Sequence, residues 1–176
     1  MTIYVTRHGQ TDWNQKNILL GSTDMELNET GKAQALQLKK QLENINFDHI
    51  ISSDLKRAHQ TAQIISNNNP NIILNSNLRE RNYGNLEGTT PENIGQFWNV
   101  PANIKEYSVE PIQDFLTRVF KELDNIIQNY SNNQKILIVT HYGVVMAIDA
   151  YFHNKFNYCF DNFLFNNCEF RTYEIN

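Results

Sequence analysis

Two apolar runs in this chain end alike, and any fold it adopts must make use of both endings. Ile3-Tyr4-Val5-Thr6 leads into Arg7-His8-Gly9, and Ile136-Leu137-Ile138-Val139 leads into Thr140-His141-Tyr142-Gly143. Runs of β-branched, aromatic and aliphatic residues fit buried strands. Gly9 permits a sharp turn after the first, because a residue without Cβ tolerates backbone angles that others do not. In open α/β sheets, ligands sit outside the carboxyl ends of the strands. A first, central strand ending in Arg7 and His8 therefore offers an arginine, which grips phosphate oxygens as a fork, beside a histidine that can attack phosphorus or move protons. The plainer reading ends a strand at the surface, and the tripeptide alone does not choose between the two.

Composition narrows the choice of partner. A chain of 176 residues suits one domain and can bury most of its apolar surface. Its formal net charge of −4 provides no basic field for nucleic acid or anionic membrane. Any phosphate chemistry must come from a few focused cations. Cys159 and Cys168 form no Cys-x-x-Cys pattern and read as reduced interior residues rather than a disulfide framework or metal site. The chain enters a strand at once, which leaves no room for a signal peptide, and no apolar run approaches the roughly 20 residues of a membrane span. A soluble, cytoplasmic protein is expected.

Between the two strand endings the pattern alternates. Asp12 to Asn17 reads as a polar loop, with Asn14 either an ordinary turn residue or an amide directed at the space that His8 faces. Asn28 is an N-cap for a helix that buries Ala35, Leu38, Leu42 and Ile45, with Lys39, Lys40 and Glu43 in water. A second strand, Ile50 to Ser53, precedes a helix that starts at Leu55, capped by Ser53 or Asp54, with Ala58, Ala62 and Ile65 on its buried stripe. Arg57 lies in its first turn, where backbone N–H groups favour an anion, and would face the crevice of Arg7 and His8; His59 reads as surface.

Ile72 to Leu74 is a short third strand. Leu78 to Gly88 is a structured loop that offers Glu80 and Glu87 as carboxylates. Thr89 to Val109, crossed by Pro91 and Pro101, reads as a lid or insertion in which Phe97 and Trp98 either line a pocket or pack on the body. Pro111 opens a long helix whose apolar face runs from Ile112 and Phe115 through Leu116, Val119, Leu123, Ile126 and Ile127. A helix from Val144 to about Phe152 and an edge strand within Cys168 to Ile175 complete the chain.

Together the motifs resemble the histidine phosphatase superfamily, also called phosphoglycerate-mutase-like. The resemblance rests on Thr6-Arg7-His8-Gly9-Gln10-Thr11 with Asn14, on Ser52-Ser53-Asp54-Leu55-Lys56-Arg57-Ala58 with Thr61-Ala62, on Leu78-Arg79-Glu80 through Gly84 and Gly88, and on Thr140-His141-Tyr142-Gly143-Val144. These four stretches come in the family's order and span nearly the whole chain. The resemblance implies an α/β fold, a three-layer α/β/α sandwich around a mostly parallel sheet. It implies that His8 is the nucleophile that becomes phosphohistidine, that Arg7, Arg57, His141 and Asn14 bind the phosphoryl group, and that Glu80 donates a proton. Two arginines and a protonated His141 would stabilise a transition state whose charge spreads over three oxygens, with no metal or cofactor required.

The sequence also departs from the family pattern. Leu20 stands where relatives carry a polar residue before Gly21, Tyr142 replaces a commoner glycine, and Val145 falls near an arginine of many phosphatases. Mutases of the superfamily hold phosphoglycerate with a long basic insertion; here Lys105 alone stands between Thr89 and Glu110 as a cation, against Glu92, Glu106 and Glu110. Arg81 and Tyr83 do look like the mutase loop. The expected activity is hydrolysis of a small phosphomonoester, with Tyr83, Phe97 and Trp98 around its leaving group; one such relative acts on ribazole phosphate. The alternatives are a bisphosphoglycerate-dependent mutase and a non-catalytic module that binds a phosphorylated ligand.

Overall fold

In a computed structural model of the chain, the described residues are 1–90, 104–153 and 163–175. The strands are β1 (Thr2–Arg7), β2 (His49–Ser52), β3 (Ile73–Leu74), β4 (Lys135–Thr140) and β5 (Phe170–Glu174), and the helices are α1 (Asp12–Gln15), α2 (Glu29–Gln41), α3 (Lys56–Ile65), α4 (Ile104–Tyr107), α5 (Ile112–Asn129) and α6 (Tyr142–His153). The strands form one sheet in the order β3-β2-β4-β1-β5. All pairings are parallel except β1 with β5, which is antiparallel. β1 is interior, as its apolar run requires, but the central strand is β4, whose Ile136 to Val139 are fully buried.

Alternation along β4 builds two cores, because successive side chains point to opposite faces. Ile136 and Ile138 join Ile3 and Val5 against Phe115, Leu116, Val119 and Leu123 of α5 and Val144 and Ile148 of α6. Leu137 and Val139 join Ile50 against Leu38 of α2 and Ala58 and Ala62 of α3. Helices thus cover both faces, in three layers. Helix α2 packs on one face and α6, the helix after β4, on the other, and β1 and β4 are neighbours. Chains leaving adjacent parallel strands for opposite faces open a crevice at their carboxyl ends.

Several local expectations are corrected by hydrogen bonding. Residues Asp12 to Gln15 form a short helix instead of a loop. Thr11 Oγ1 accepts from the Asn14 N–H while Asn14 Oδ1 accepts from the Thr11 N–H, which closes a capping box. The first position of α3 is not capped by Ser53 or Asp54. Leu55 occupies the cap without a side-chain bond, and the Lys56 N–H is met from another loop by Asp24 Oδ1 at 2.7 Å. Asp54 is instead held by the Arg79 fork at 2.7 and 2.6 Å. Asn28 does cap α2, accepting from the Gly31 N–H at 2.8 Å. Ile45 lies beyond the end of α2 but still packs on its core, and His59 is partly buried rather than exposed. Most of the 89–109 stretch, with Phe97 and Trp98, lies outside the described residues, as does Cys159.

The turn after β1 is pressed onto the first turn of α2. A Cβ on Gly31 would lie 2.1 Å from the Gln10 carbonyl oxygen and 2.7 Å from its nitrogen, both backbone atoms that cannot yield without moving the turn. Gly31→Ala should therefore lower the unfolding free energy by about 1–3 kcal/mol, the usual range for overpacking. A urea midpoint equal to that of the unaltered protein would contradict this packing.

Candidate active site

Strand register delivers the site. Arg7 pairs with Thr140 across β1 and β4, and Ser52 pairs with Val139 across β2 and β4. The next residues out of three adjacent strand ends are therefore His8, His141 and Ser53. Of these, His8 lines a cavity of about 410 Å³, together with the polar Arg7, Arg57 and Glu80 and with Ile18, Leu19, Leu20, Tyr83 and Tyr142.

Its chemistry is set by four cationic or imidazole side chains. His8 Nδ1 lies 2.7 Å from the Gly9 carbonyl, which can only accept, so Nδ1 carries the proton. Its Nε2 accepts from Arg57 Nε–H at 3.2 Å, so that nitrogen presents a lone pair. Burial, then the charges of Arg57 and Arg7, hold the His8 pKa well below its ordinary value, and the ring is neutral. Arg57 is fully buried and donates through Nη1 to the Thr23 carbonyl and through Nη2 to the Gly21 carbonyl, both at 2.7 Å. Burial pushes its guanidinium down to about 10, still charged at neutral pH. Arg7 donates from Nη1 to the Phe165 carbonyl at 3.0 Å and lies over the Tyr142 ring, 5.3 Å from its centroid, while its Nε is buried without a partner.

His141 is fully buried, its ring centroid 5.1 Å from that of His8. Ser53 Oγ accepts from the Leu55 N–H and lies 2.8 Å from His141 Nε2, while His141 Nδ1 is buried without a partner. The expected protonated His141 is corrected here. Burial first, then Arg57, His8 and Arg7, hold its pKa well below the ordinary value, so the free site contains a neutral imidazole.

The structure separates the two carboxylates that the sequence left on one loop. Glu80 lines the cavity and accepts from the Arg81 N–H at 2.9 Å and, at the start of α6, from the Gly143 N–H at 3.0 Å. Its backbone is held by Arg118, which donates to the carbonyls of Asn77, Arg79 and Glu80 while gripping Glu110 with two nitrogens. Glu87 does not line the cavity and is occupied with Ser22, Thr23 and Tyr83. Asn14 gives its carbonyl oxygen to the capping box and is one of the residues that line the cavity. Tyr83 lines it as expected, but Arg81 is buried away from it and donates to the Glu110 carbonyl at 2.8 Å. Leu20 forms part of the apolar wall, and Val145 is buried behind the site. Sequence reasoning missed Arg118 and Asn167, whose amide donates to the His8 carbonyl at 2.8 Å. Both act through backbone carbonyls, which no residue pattern announces.

This geometry can be set beside known proteins. The model of the histidine phosphatase superfamily (branch 1) matches residues 3–176. A Schizosaccharomyces pombe protein named as a probable phosphatase is 32% identical over 164 residues, covering 92% of this chain and 78% of its own. The 2,3-bisphosphoglycerate-dependent phosphoglycerate mutase of Bartonella bacilliformis is 33% identical over 162 residues, 84% of this chain and 79% of its own. Among solved structures, Bacillus stearothermophilus YhfR superposes with a TM-score of 0.86 at 28% identity, covering 99% of this chain and 91% of that one. The fold and the site define an α/β protein with a cationic, histidine-bearing crevice. The chain belongs to the histidine phosphatase superfamily, and its phosphatase-named relatives support phosphatase activity.

Two buried neutral histidines make stability depend on pH. In the unfolded chain each takes up a proton as pH falls through about 6.5, whereas in the folded protein uptake is deferred to lower pH. The unfolded state then binds more protons, so stability falls with falling pH below 6.5, by up to about 1.4 kcal/mol per pH unit for each histidine. Urea titrations between pH 6.5 and 5 should show this slope, and His8→Asn should remove about half of it. An unchanged slope in His8→Asn would mean that His8 is not held neutral.

Proposed function

We propose that this chain is a phosphomonoesterase that hydrolyses a small phosphorylated metabolite through a phosphohistidine on His8. The observation that carries the reading is the pair of buried, unpartnered groups, Arg7 Nε and His141 Nδ1, beside the His8 lone pair and Arg57. An unsatisfied buried donor costs about 1–3 kcal/mol, and a phosphoryl group with three oxygens would meet both. In this mechanism a phosphoryl oxygen takes over the Arg57 Nε–H, which frees His8 Nε2 for in-line attack. The N–P bond forms as the P–O ester bond breaks, and Glu80 gives its proton to the leaving oxygen. Water then attacks the phosphohistidine, its proton returns to Glu80, and phosphate leaves. Preorganised cations supply most of the stabilisation, as phosphoryl transfer demands.

The cavity favours hydrolysis over mutase action. Among the described lining residues its cations are Arg7 and Arg57, both at the phosphoryl end, and Arg81 is turned away to Glu110. A phosphoglycerate, with a carboxylate besides its phosphates, finds no third cation there. The rest of the lining mixes apolar Ile18 to Leu20, Tyr83 and Tyr142 with the amides of Gln10, Asn17 and Asn167, which suits an uncharged leaving group that is partly apolar. Stacking on Phe97 and Trp98 belongs to the same proposal. With a net charge of −4 and a buried Cys168 thiol pushed up to about 12, the proposed setting is the cytoplasm and the partner a small molecule, not nucleic acid or membrane.

Two experiments test the roles. Glu80→Gln keeps size and polarity but cannot donate a carboxyl proton, so phosphoenzyme formation from an alkyl phosphate should slow by about 10²–10⁴. Nitrophenyl phosphate, whose leaving group needs little protonation, should lose much less in the same single-turnover measurement. Equal losses on both would make Glu80 a positioning group only. Turnover should also persist in EDTA, because among its described lining residues the cavity offers a divalent ion one imidazole and one carboxylate beside two repelling guanidiniums, and vanadate should inhibit as a five-coordinate mimic. Activity lost in EDTA and restored by a divalent ion would overturn that part. Absence of any turnover of chromogenic phosphates would favour the non-catalytic binding module.

A further inference from the structure

We propose that Glu87 is a positioning residue for the phosphate site: its carboxylate fixes the loop at 21–23, whose carbonyl groups aim Arg57 at His8. The inference rests on the phosphatase reading above and concerns a residue outside the cavity.

Glu87 accepts five hydrogen bonds. Oε1 takes the Ser22 N–H at 2.8 Å, the Ser22 hydroxyl at 3.0 Å and the Tyr83 N–H at 3.0 Å. Oε2 takes the Thr23 N–H at 2.9 Å and the Thr23 hydroxyl at 2.5 Å. Each donor could be answered by a neutral acceptor, but only a carboxylate places two acceptor oxygens, with about four lone pairs, where all five donors can share them. Two backbone bonds extend the strap: the Gly88 N–H donates to the Leu19 carbonyl and the Leu19 N–H to the Thr89 carbonyl, both at 2.9 Å. Gly21 shows how tightly the parts fit. It sits at φ +52°, and a Cβ there would lie 2.2 Å from Glu87 Oε1.

The peptide groups on either side of these bonds do the rest. The Ser22 and Thr23 N–H groups point to Glu87, and the Gly21 and Thr23 carbonyls point to Arg57, which donates one terminal nitrogen to each at 2.7 Å. With both terminal nitrogens fixed, the planar guanidinium has one orientation left, and in it Nε–H points at His8 Nε2, 3.2 Å away. Carbonyl partners hold the arginine without neutralising it, so its charge stays available to an incoming phosphoryl group. A carboxylate placed directly on Arg57 would fix it equally well and cancel its field. Glu87, one peptide removed, does the first without the second.

Glu87→Gln has the same shape but faces at least one of the five donors with an NH₂ group, which must break that bond and loosen the loop. Inorganic phosphate binding, measured calorimetrically on the intact protein well below its melting temperature, should weaken by about 10- to 100-fold, the range for losing hydrogen bonds to a charged group. The ¹⁵N resonance of His8 Nε2 should move toward that of an imine nitrogen without a donor, and the rate ratio between nitrophenyl and alkyl phosphates should stay at the wild-type value, unlike that of Glu80→Gln. Ser22→Ala with Thr23→Val removes only the two hydroxyl donors, and phosphate binding should weaken a few-fold. This pair carries the test if Glu87→Gln does not fold. Unaltered phosphate affinity with a lowered melting temperature, in either variant that folds, would make Glu87 a stabilising clamp and overturn the proposal. Wild-type protein that binds neither phosphate nor vanadate would sink the phosphatase reading, and this inference with it.

Discussion

The contact on which the rest of the site depends is the 3.2 Å hydrogen bond from Arg57 Nε to His8 Nε2. It places a permanent cation against the lone pair of a neutral imidazole, and both groups are shut away from water. Removing a guanidinium from water costs several kcal/mol unless its donors are met. Here they are met by carbonyl oxygens, so the positive charge is solvated without being neutralised. That one choice of partner explains the neighbouring chemistry. It helps hold both histidines neutral, it leaves a field that an anion can use, and it forces the 21–23 loop into a fixed conformation.

The fold exists to make that contact possible. The parallel register of β1, β4 and β2 brings their last residues, Arg7, Thr140 and Ser52, to one end of the sheet, and His8, just beyond β1, lines the cavity. Helices α2 and α3 pack on one face and α5 and α6 on the other, so the connections part over the β1–β4 boundary and leave it open. Helix α3 carries Arg57 in its first turn, and α6 presents the Gly143 N–H to Glu80. Arg118 on α5 holds the loop that carries Glu80 by three of its carbonyls. Arg57 and Glu80 therefore each have a helix behind them.

Much of this could be read in the sequence because it is written in residue types. Runs of β-branched, aromatic and aliphatic residues located β1 and β4, helical spacing located the apolar faces of α2, α3 and α5, and Arg7, His8, Arg57 and His141 stood at element ends where ligands bind. What could not be read depends on which group answers which. The capping box that turns Asp12 to Gln15 into a helix needs Thr11 and Asn14 to pair, and the start of α3 borrows Asp24 from a distant loop. Glu80 and Glu87 are the same residue type on the same loop, and only their partners assign one to the cavity and the other to the 21–23 loop. The protonation of His141 failed as an expectation for a related reason. Charge on this imidazole depends on burial and on four neighbouring groups, Arg57, His8, Arg7 and Arg118, none of them adjacent in sequence.

The central claim is that His8 Nε2 is a poised nucleophile, and covalent trapping tests it most directly. Protein mixed with a ³²P-labelled phosphomonoester and quenched in alkali within one turnover should carry an acid-labile, alkali-stable label. Peptide mapping should place that label on the segment containing His8, and His8→Ala should take up none while remaining folded. Label on His141 instead, or full turnover with no labelled protein at any quench time, would contradict the account.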